Sequence, residues 1–126
     1  MKEVMAIVRM NKINQTKRAL SEAGISSMHA KDCLGRGKGL VDFNVLHGAE
    51  QGYEEAISQL GSTQRLIPKR MISVVVPNKL VKKVVETVIS VNQTGKSGDG
   101  ILFVMPVMDS IRIRTGESGD ETLDEA

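Results

Sequence analysis

Two short apolar segments, VMAIVRMNKI at residues 4–13 and MISVVVPNKL at residues 71–80, repeat the same pattern at an offset of 67. Each opens as a β-branched apolar run, passes through Asn-Lys-Ile or Asn-Lys-Leu, and continues into a stretch of helical period. The apolar runs suit strands covered on at least one face. Asn11 and Asn78 stand where a helix N-cap would accept the free amides of a first turn. In the first helical stretch Ile13, Thr16, Leu20 and Ala23 fall on one face at steps of three and four, and Gly24 ends it. The second carries a broader stripe of Leu80, Val81, Val84, Val85, Val88 and Ile89. Two further strands are predicted, over Ser26–Leu34 and Ile101–Arg114. The order β-α-β-β-α-β predicts an α+β, ferredoxin-like sandwich.

That fold does not require the residues from Gly35 to Pro68. A connection this long in a compact domain usually carries function. Glu54 to Leu60 are good helix formers, with Ile57 and Leu60 on one face and Gly61-Ser62-Thr63 as a stop. The insertion is either a local helix capping the sheet or an arm projecting to a partner. The arm is preferred because nothing in the core demands the insertion. The chain is thus read as one domain over 1–116, with 35–68 as an insertion and 117–126 as an acidic tail.

Composition changes this picture in one respect. The formal charge is only +2, but Glu117–Ala126 holds five acids and no base, leaving residues 1–116 with 17 basic against 10 acidic residues, +7. The tail reads as a solvated, poorly ordered end, and the basic body as one that attracts an anion. Phe43, Tyr53 and Phe103 are the chain's aromatics, too few for a stacking platform, so no nucleic-acid partner is expected. No apolar run approaches a membrane span. Cys33 alone builds no disulfide, which favours a cytoplasmic setting. With one cysteine and two histidines, no closed zinc site is expected.

Candidate chemistry lies in glycines and arginines. Residues 92–100, Asn-Gln-Thr-Gly-Lys-Ser-Gly-Asp-Gly, contain a Gly-Lys-Ser, but the glycine a P-loop needs is Ser90, and the segment runs from helix to strand, the reverse of the P-loop order. It is either an ordinary turn or a loop whose three glycines leave backbone amides open to an anion. In Ile111-Arg112-Ile113-Arg114, strand alternation would send both arginines from one face, about 7 Å apart, a spacing that suits neighbouring phosphates. With Gly35-Arg36-Gly37-Lys38-Gly39 as a third element, the pattern points to a polyphosphate such as a nucleotide. No acid–base or nucleophile set of plausible spacing occurs, so no catalytic residue is expected and the chain is not read as an enzyme.

These residues also carry a resemblance. Thr94-Gly95-Lys96-Ser97-Gly98-Asp99-Gly100 before Ile101-Leu102-Phe103 resembles the B-loop of the PII nitrogen-regulatory signalling proteins, and Arg112-Ile113-Arg114-Thr115-Gly116-Glu117 resembles their C-loop. Gly24-Ile25, His47-Gly48-Ala49-Glu50 and Pro68-Lys69 also fit. The resemblance covers nearly the whole chain. It implies a PII-type trimer of ferredoxin-like subunits with ATP or ADP in the clefts between neighbours, 2-oxoglutarate beside Mg-ATP, and a signalling T-loop at 35–68. Gly98, Asp99 and Gly100 would cradle phosphates, Arg112 and Arg114 would reach them across the subunit boundary, and Gly37 and Lys38 would line the T-loop base. His29 and Val75 match adenine and ribose contacts, with His29 in place of the usual threonine. Arg9, Lys38 and Lys69 match positions near 2-oxoglutarate. Phe43, His47, Tyr53, Ile57 and Leu60 are the implied partner contacts of the T-loop.

The sequence departs from the family pattern at several points. Ile101 replaces the lysine after Gly-Asp-Gly, and the T-loop glutamine that joins magnesium and 2-oxoglutarate is absent. Gln51 and Ala49 replace the modified tyrosine and serine, with Tyr53 out of register. A longer T-loop beginning GRGKG resembles the second sister type of the PII-like proteins encoded among nitrogen-fixation genes of archaea and anaerobic bacteria. That branch implies a cytoplasmic, trimer-based hetero-oligomer with a sister subunit, which binds dinitrogenase, the molybdenum–iron component, and inhibits it until 2-oxoglutarate and ATP relieve the block. The alternative is a PII-like regulator of an ammonium or bicarbonate transporter, or of another nitrogen-assimilation protein.

Overall fold

In the computed structural model, residues 1–36 and 66–123 are described. The elements run β1 (Lys2–Arg9), α1 (Ile13–Glu22), β2 (His29–Gly35), β3 (Ile67–Val76), α2 (Val81–Asn92) and β4 (Ile101–Pro106). The strands form one antiparallel sheet in the order β2-β3-β1-β4, so the two halves of the repeat supply its central pair. This is the α+β, ferredoxin-like arrangement the pattern predicts.

Strand alternation sets the core. Val4, Ala6 and Val8 of β1 and Ile72, Val74 and Val76 of β3 are buried, and they pack with Ile13 and Leu20 of α1, Ile25, and Leu80, Val84 and Val88 around α2. Thr16 and Asn92 tie the two helices together inside this layer. Asn92 Nδ2 donates to Thr16 Oγ1 at 3.0 Å and to Val88 O at 2.9 Å, while Thr16 Oγ1 donates to Lys12 O at 2.8 Å. Ile89, expected on the apolar stripe, is 42% exposed because α2 turns that edge away from the sheet. Among the described residues no helix is long and apolar enough to cross a membrane.

Several element ends differ from expectation. Neither asparagine caps a helix with its side chain. Asn11 and Asn78 instead sit in 3₁₀ turns, Met10–Lys12 and Asn78–Leu80, that lead into α1 and α2. Their main-chain bonds, such as Leu80 N to Pro77 O at 2.9 Å, take up amides that a cap would otherwise satisfy. β2 begins at His29 rather than Ser26.

The largest difference is at the last strand, which ends at Pro106 instead of reaching Arg114. Pro106 pairs with Lys2, the first residue of β1, and one further main-chain bond, from Val107 N to Met1 O at 3.2 Å, ends the contact. The chain then forms a separate hairpin. Ile111 bridges Ser118, Arg112 N donates to Glu117 O at 2.8 Å, and Gly116 N donates to Arg112 O at 2.7 Å. The start of the acidic segment is therefore part of this hairpin, and Asp120–Thr122 form a further 3₁₀ turn. Over residues 117–123 the segment is not the poorly ordered end expected.

Candidate functional site

The site is built where the ends of the two central strands meet the glycine loop that follows α2. Arg9 closes β1 and Lys69 is the third residue of β3, and antiparallel register sets them directly opposite each other. Both belong to the odd-numbered face of the sheet, away from the helices, as do His29 and Val75. Loop 94–100 folds onto the two cations. Arg9 Nη1 lies 2.7 Å from Asp99 Oδ1, Arg9 Nη2 donates to Ser97 O at 3.0 Å, and Lys69 Nζ donates to Gly98 O at 3.0 Å. Beside them is a cleft of about 400 Å³ bordered by Arg9, Met10, Asn11, Ile67, Pro68, Lys69, Ser97 and Gly98.

Glycine is needed at two places in this loop. At Gly100, φ is +115°, and a Cβ would come within 2.1 Å of the Ile7 carbonyl oxygen, so the loop rests on the β1 backbone with no room for a side chain. At Gly98, φ is +97°, and a Cβ would stand 3.3 Å from Arg9 Nη2 and 3.6 Å from Lys69 Nζ, between the two cations.

Asp99 organises the loop from within. Its Oδ2 accepts from Thr94 N at 2.7 Å and Gly95 N at 2.9 Å, while Oδ1 accepts from the Thr94 hydroxyl and from Arg9. The Thr94 hydroxyl and amide foremost, with Arg9 and the Gly95 amide, hold its carboxyl far below the usual carboxylate range. A carboxylate surrounded by donors of its own loop is not a ligand for phosphate, which it would repel. The Asp99 side chain is thus committed to the loop and to Arg9, so the phosphate-cradling role expected of Gly98, Asp99 and Gly100 would have to come from the backbone. Thr94 and Ser97 are parts of the site that sequence reasoning quoted without giving a role. The five-residue step from Thr94 to Asp99 was the available signal.

The structure brings together Arg9, Lys69, Gly98, Asp99 and Gly100. It does not bring Arg112 and Arg114 to them. Both arginines sit on the separate hairpin, Arg114 in its turn, and among the described residues no hydrogen bond or ion pair joins either to loop 94–100. Arg112 is instead paired with Glu117 at 2.8 Å. The expectation that strand alternation sends the two from one face of β4 is therefore overturned, since neither belongs to that strand. Gly37, Lys38, Phe43, His47, Tyr53, Ile57 and Leu60, and the helix expected over 54–60, lie outside the described residues.

Chemically, two cations and a glycine loop around an open cleft suit an oxyanion, a carboxylate or phosphate group. Comparison with known proteins gives the family. The family model described as "Nitrogen regulatory protein P-II" matches residues 1–117. The chain is 44% identical over 123 residues to the "Nitrogen fixation nifHD region GlnB-like protein 2" of Methanobacterium ivanovii, covering 98% of this chain and 99% of that protein. It is 43% identical to the protein of the same description from Methanothermobacter marburgensis, covering 98% and 100%. A solved structure of Arabidopsis thaliana PII, bound to citrate, aligns with a TM-score of 0.70 and 31% identity over 95% of this chain and 86% of that one. With its sandwich, its glycine loop and a match that spans nearly its whole length, the chain belongs to the PII family of nitrogen regulatory proteins.

Proposed function

We propose that this protein is a PII-like signal transducer of nitrogen fixation. In this reading it binds ATP or ADP and 2-oxoglutarate and inhibits dinitrogenase through its 35–68 loop, as part of a trimer-based cytoplasmic assembly with a sister PII-like subunit. The observation that carries it is the Arg9–Lys69 pair closed over by loop 94–100. Two cations at one cleft fit a dicarboxylate, and Gly98 borders the same cleft without a side chain to fill it. Arg9 and Lys69 would hold the carboxylates, while Gly98 and Gly100 would face the phosphates. Arg112 and Arg114 would serve a neighbouring subunit's nucleotide, a role their placement on a separate hairpin leaves open to them. The nifHD-region descriptions of the relatives in Methanobacterium ivanovii and Methanothermobacter marburgensis support the link to nitrogen fixation.

Signalling here is a shift of population. Effectors bias the loop between two arrangements, one of which fits the target, and they act only through differential affinity for the two. The test is calorimetry with Mg-ATP, ADP and 2-oxoglutarate, followed by nitrogenase turnover with the full chain and with residues 50–62 deleted. Nucleotide binding with inhibition lost in the deletion is expected. Inhibition that survives the deletion would overturn the loop assignment, and capture from membranes rather than soluble extract would favour a transporter target. Arg114→Ala should weaken ATP binding by about 1.5–3 kcal/mol.

A further inference from the structure

Arg9 is expected to serve an anion, yet two of its guanidinium nitrogens are already engaged by the loop beside it, Nη1 by Asp99 and Nη2 by Ser97 O. Asp99 is not among the residues that border the Arg9–Lys69 cleft. It borders a different cavity, of about 410 Å³, with Val8, Val88, Gly100 and Leu102. The carboxylate therefore backs the guanidinium instead of sharing the cleft with it. An arginine held on one edge presents its remaining donors in a fixed direction and loses less freedom when an anion arrives.

We propose that Asp99 is a positioning residue for oxyanion binding, acting through Arg9. The proposal deepens the reading above, on which it rests for its ligand. Asp99 does two separable things. Through Oδ2 it holds the Thr94 and Gly95 amides and so shapes the loop, and through Oδ1 it holds Arg9 and the Thr94 hydroxyl.

Asp99→Asn separates these two tasks. The Thr94 and Gly95 amides can only donate, so the new amide turns its oxygen toward them and keeps the loop. Its NH₂ then faces Arg9, donor against donor, while the Thr94 hydroxyl can rotate to accept. Arg9 is released and the turn survives.

The sign of the effect discriminates. Removing a negative charge a few ångströms behind an anion site strengthens anion binding by Coulomb attraction alone. Loss of positioning weakens it. The experiment is calorimetric titration of the full chain with Mg-ATP and with 2-oxoglutarate in the presence of Mg-ATP, for the native protein, Asp99→Asn, Arg9→Gln and the double variant. Amide and guanidinium proton spectra are recorded alongside. Asp99→Asn should bind at least one of these ligands about tenfold or more weakly, the scale of one charged hydrogen bond. Its Thr94 and Gly95 amide resonances should stay in place. In the Arg9→Gln background the same change should have no further effect, the mark of a role exerted through Arg9. Unchanged or tighter binding in Asp99→Asn, or an equal loss with and without Arg9, overturns the proposal. If the native protein binds neither ligand, the reading of function fails and positioning is judged on Arg9 alone. Slowly exchanging Nη protons present in the native protein and lost in Asp99→Asn support it, and their absence from the native protein overturns it.

Discussion

Gly100→Ala tests the packing of the loop on the sheet most directly. Two costs combine. A φ of +115° strains any residue with a Cβ, by roughly 1–3 kcal/mol. The new methyl would also sit 2.1 Å from the Ile7 carbonyl oxygen, a backbone atom with no rotamer to yield. Ile7 pairs with Met71 on one side and Ile101 on the other, so moving its carbonyl disturbs two ladders at once. Overpacking of this kind adds roughly 1–3 kcal/mol. The sum is about 2–6 kcal/mol, a large share of a typical domain's 5–15 kcal/mol, and it should lower the melting temperature by about 8–24 °C. Gly95→Ala is the control. It lies in the same loop at φ +83° with nothing within 4 Å of its Cβ, so it meets only the backbone cost of about 1–2 kcal/mol. Both variants are compared by urea unfolding at one protein concentration, because any subunit association makes stability concentration-dependent. Equal destabilisation in the two would refute the close approach of Gly100 to Ile7.

Other outcomes follow from the same packing. Asn92→Ala should cost about 1–3 kcal/mol in chemical unfolding by cutting the buried link from α2 to Thr16. A change below 0.5 kcal/mol would mean that the link contributes nothing net. The depressed carboxyl of Asp99 makes stability pH-dependent with a definite sign: the contribution is full above the unfolded value near 4 and is lost as pH falls below it toward the folded value. Acid titration of melting temperature should therefore be steeper below pH 4 for the native protein than for Asp99→Asn, and parallel curves would count against the assignment. Lys69→Met should leave stability within about 1 kcal/mol, because the lost bond to Gly98 O and the lost repulsion from Arg9 oppose each other. Its 2-oxoglutarate affinity should nonetheless drop, and calorimetry beside thermal melts reads both.

What was legible in the sequence was what depends on periodicity. The repeat at offset 67 places β1 and β3 side by side, and the alternation of Val4, Ala6 and Val8 with their partners in β3 sets the buried face. Helix stripes read equally well, apart from Ile89 at the edge. Features set by tertiary pairing did not read. Ile101–Arg114 looks like one alternating strand, but its length is limited by where β1 begins, a fact no local window contains. The asparagines have the chemistry of caps, yet a 3₁₀ turn supplies main-chain partners first. Asp99 lies in a loop motif associated with phosphate, and only the convergence of Thr94, Gly95 and Arg9 on its two oxygens shows that its side chain faces inward.

The placement of Arg9 opposite Lys69 bears on the function proposed for this corner of the sheet. Like charges paired across antiparallel strands are unfavourable. At about 5 Å the repulsion is roughly 1–3 kcal/mol between the dielectric limits of water and a protein surface. One step along β3 the pattern is the opposite, with Arg70 standing 2.7 Å from Asp32 of β2 as an ordinary cross-strand ion pair. The conflict is thus confined to one pair, and the fold answers it from outside the strands. Ser97 O, Gly98 O and the Asp99 carboxylate all come from the loop that closes over the pair. The three acceptors carry a single formal negative charge against two positive ones, so the corner keeps a net +1 beside the cleft. A corner that violates a local pairing rule, compensates it in part and leaves its surplus charge at an opening is the pattern on which the proposed anion binding rests.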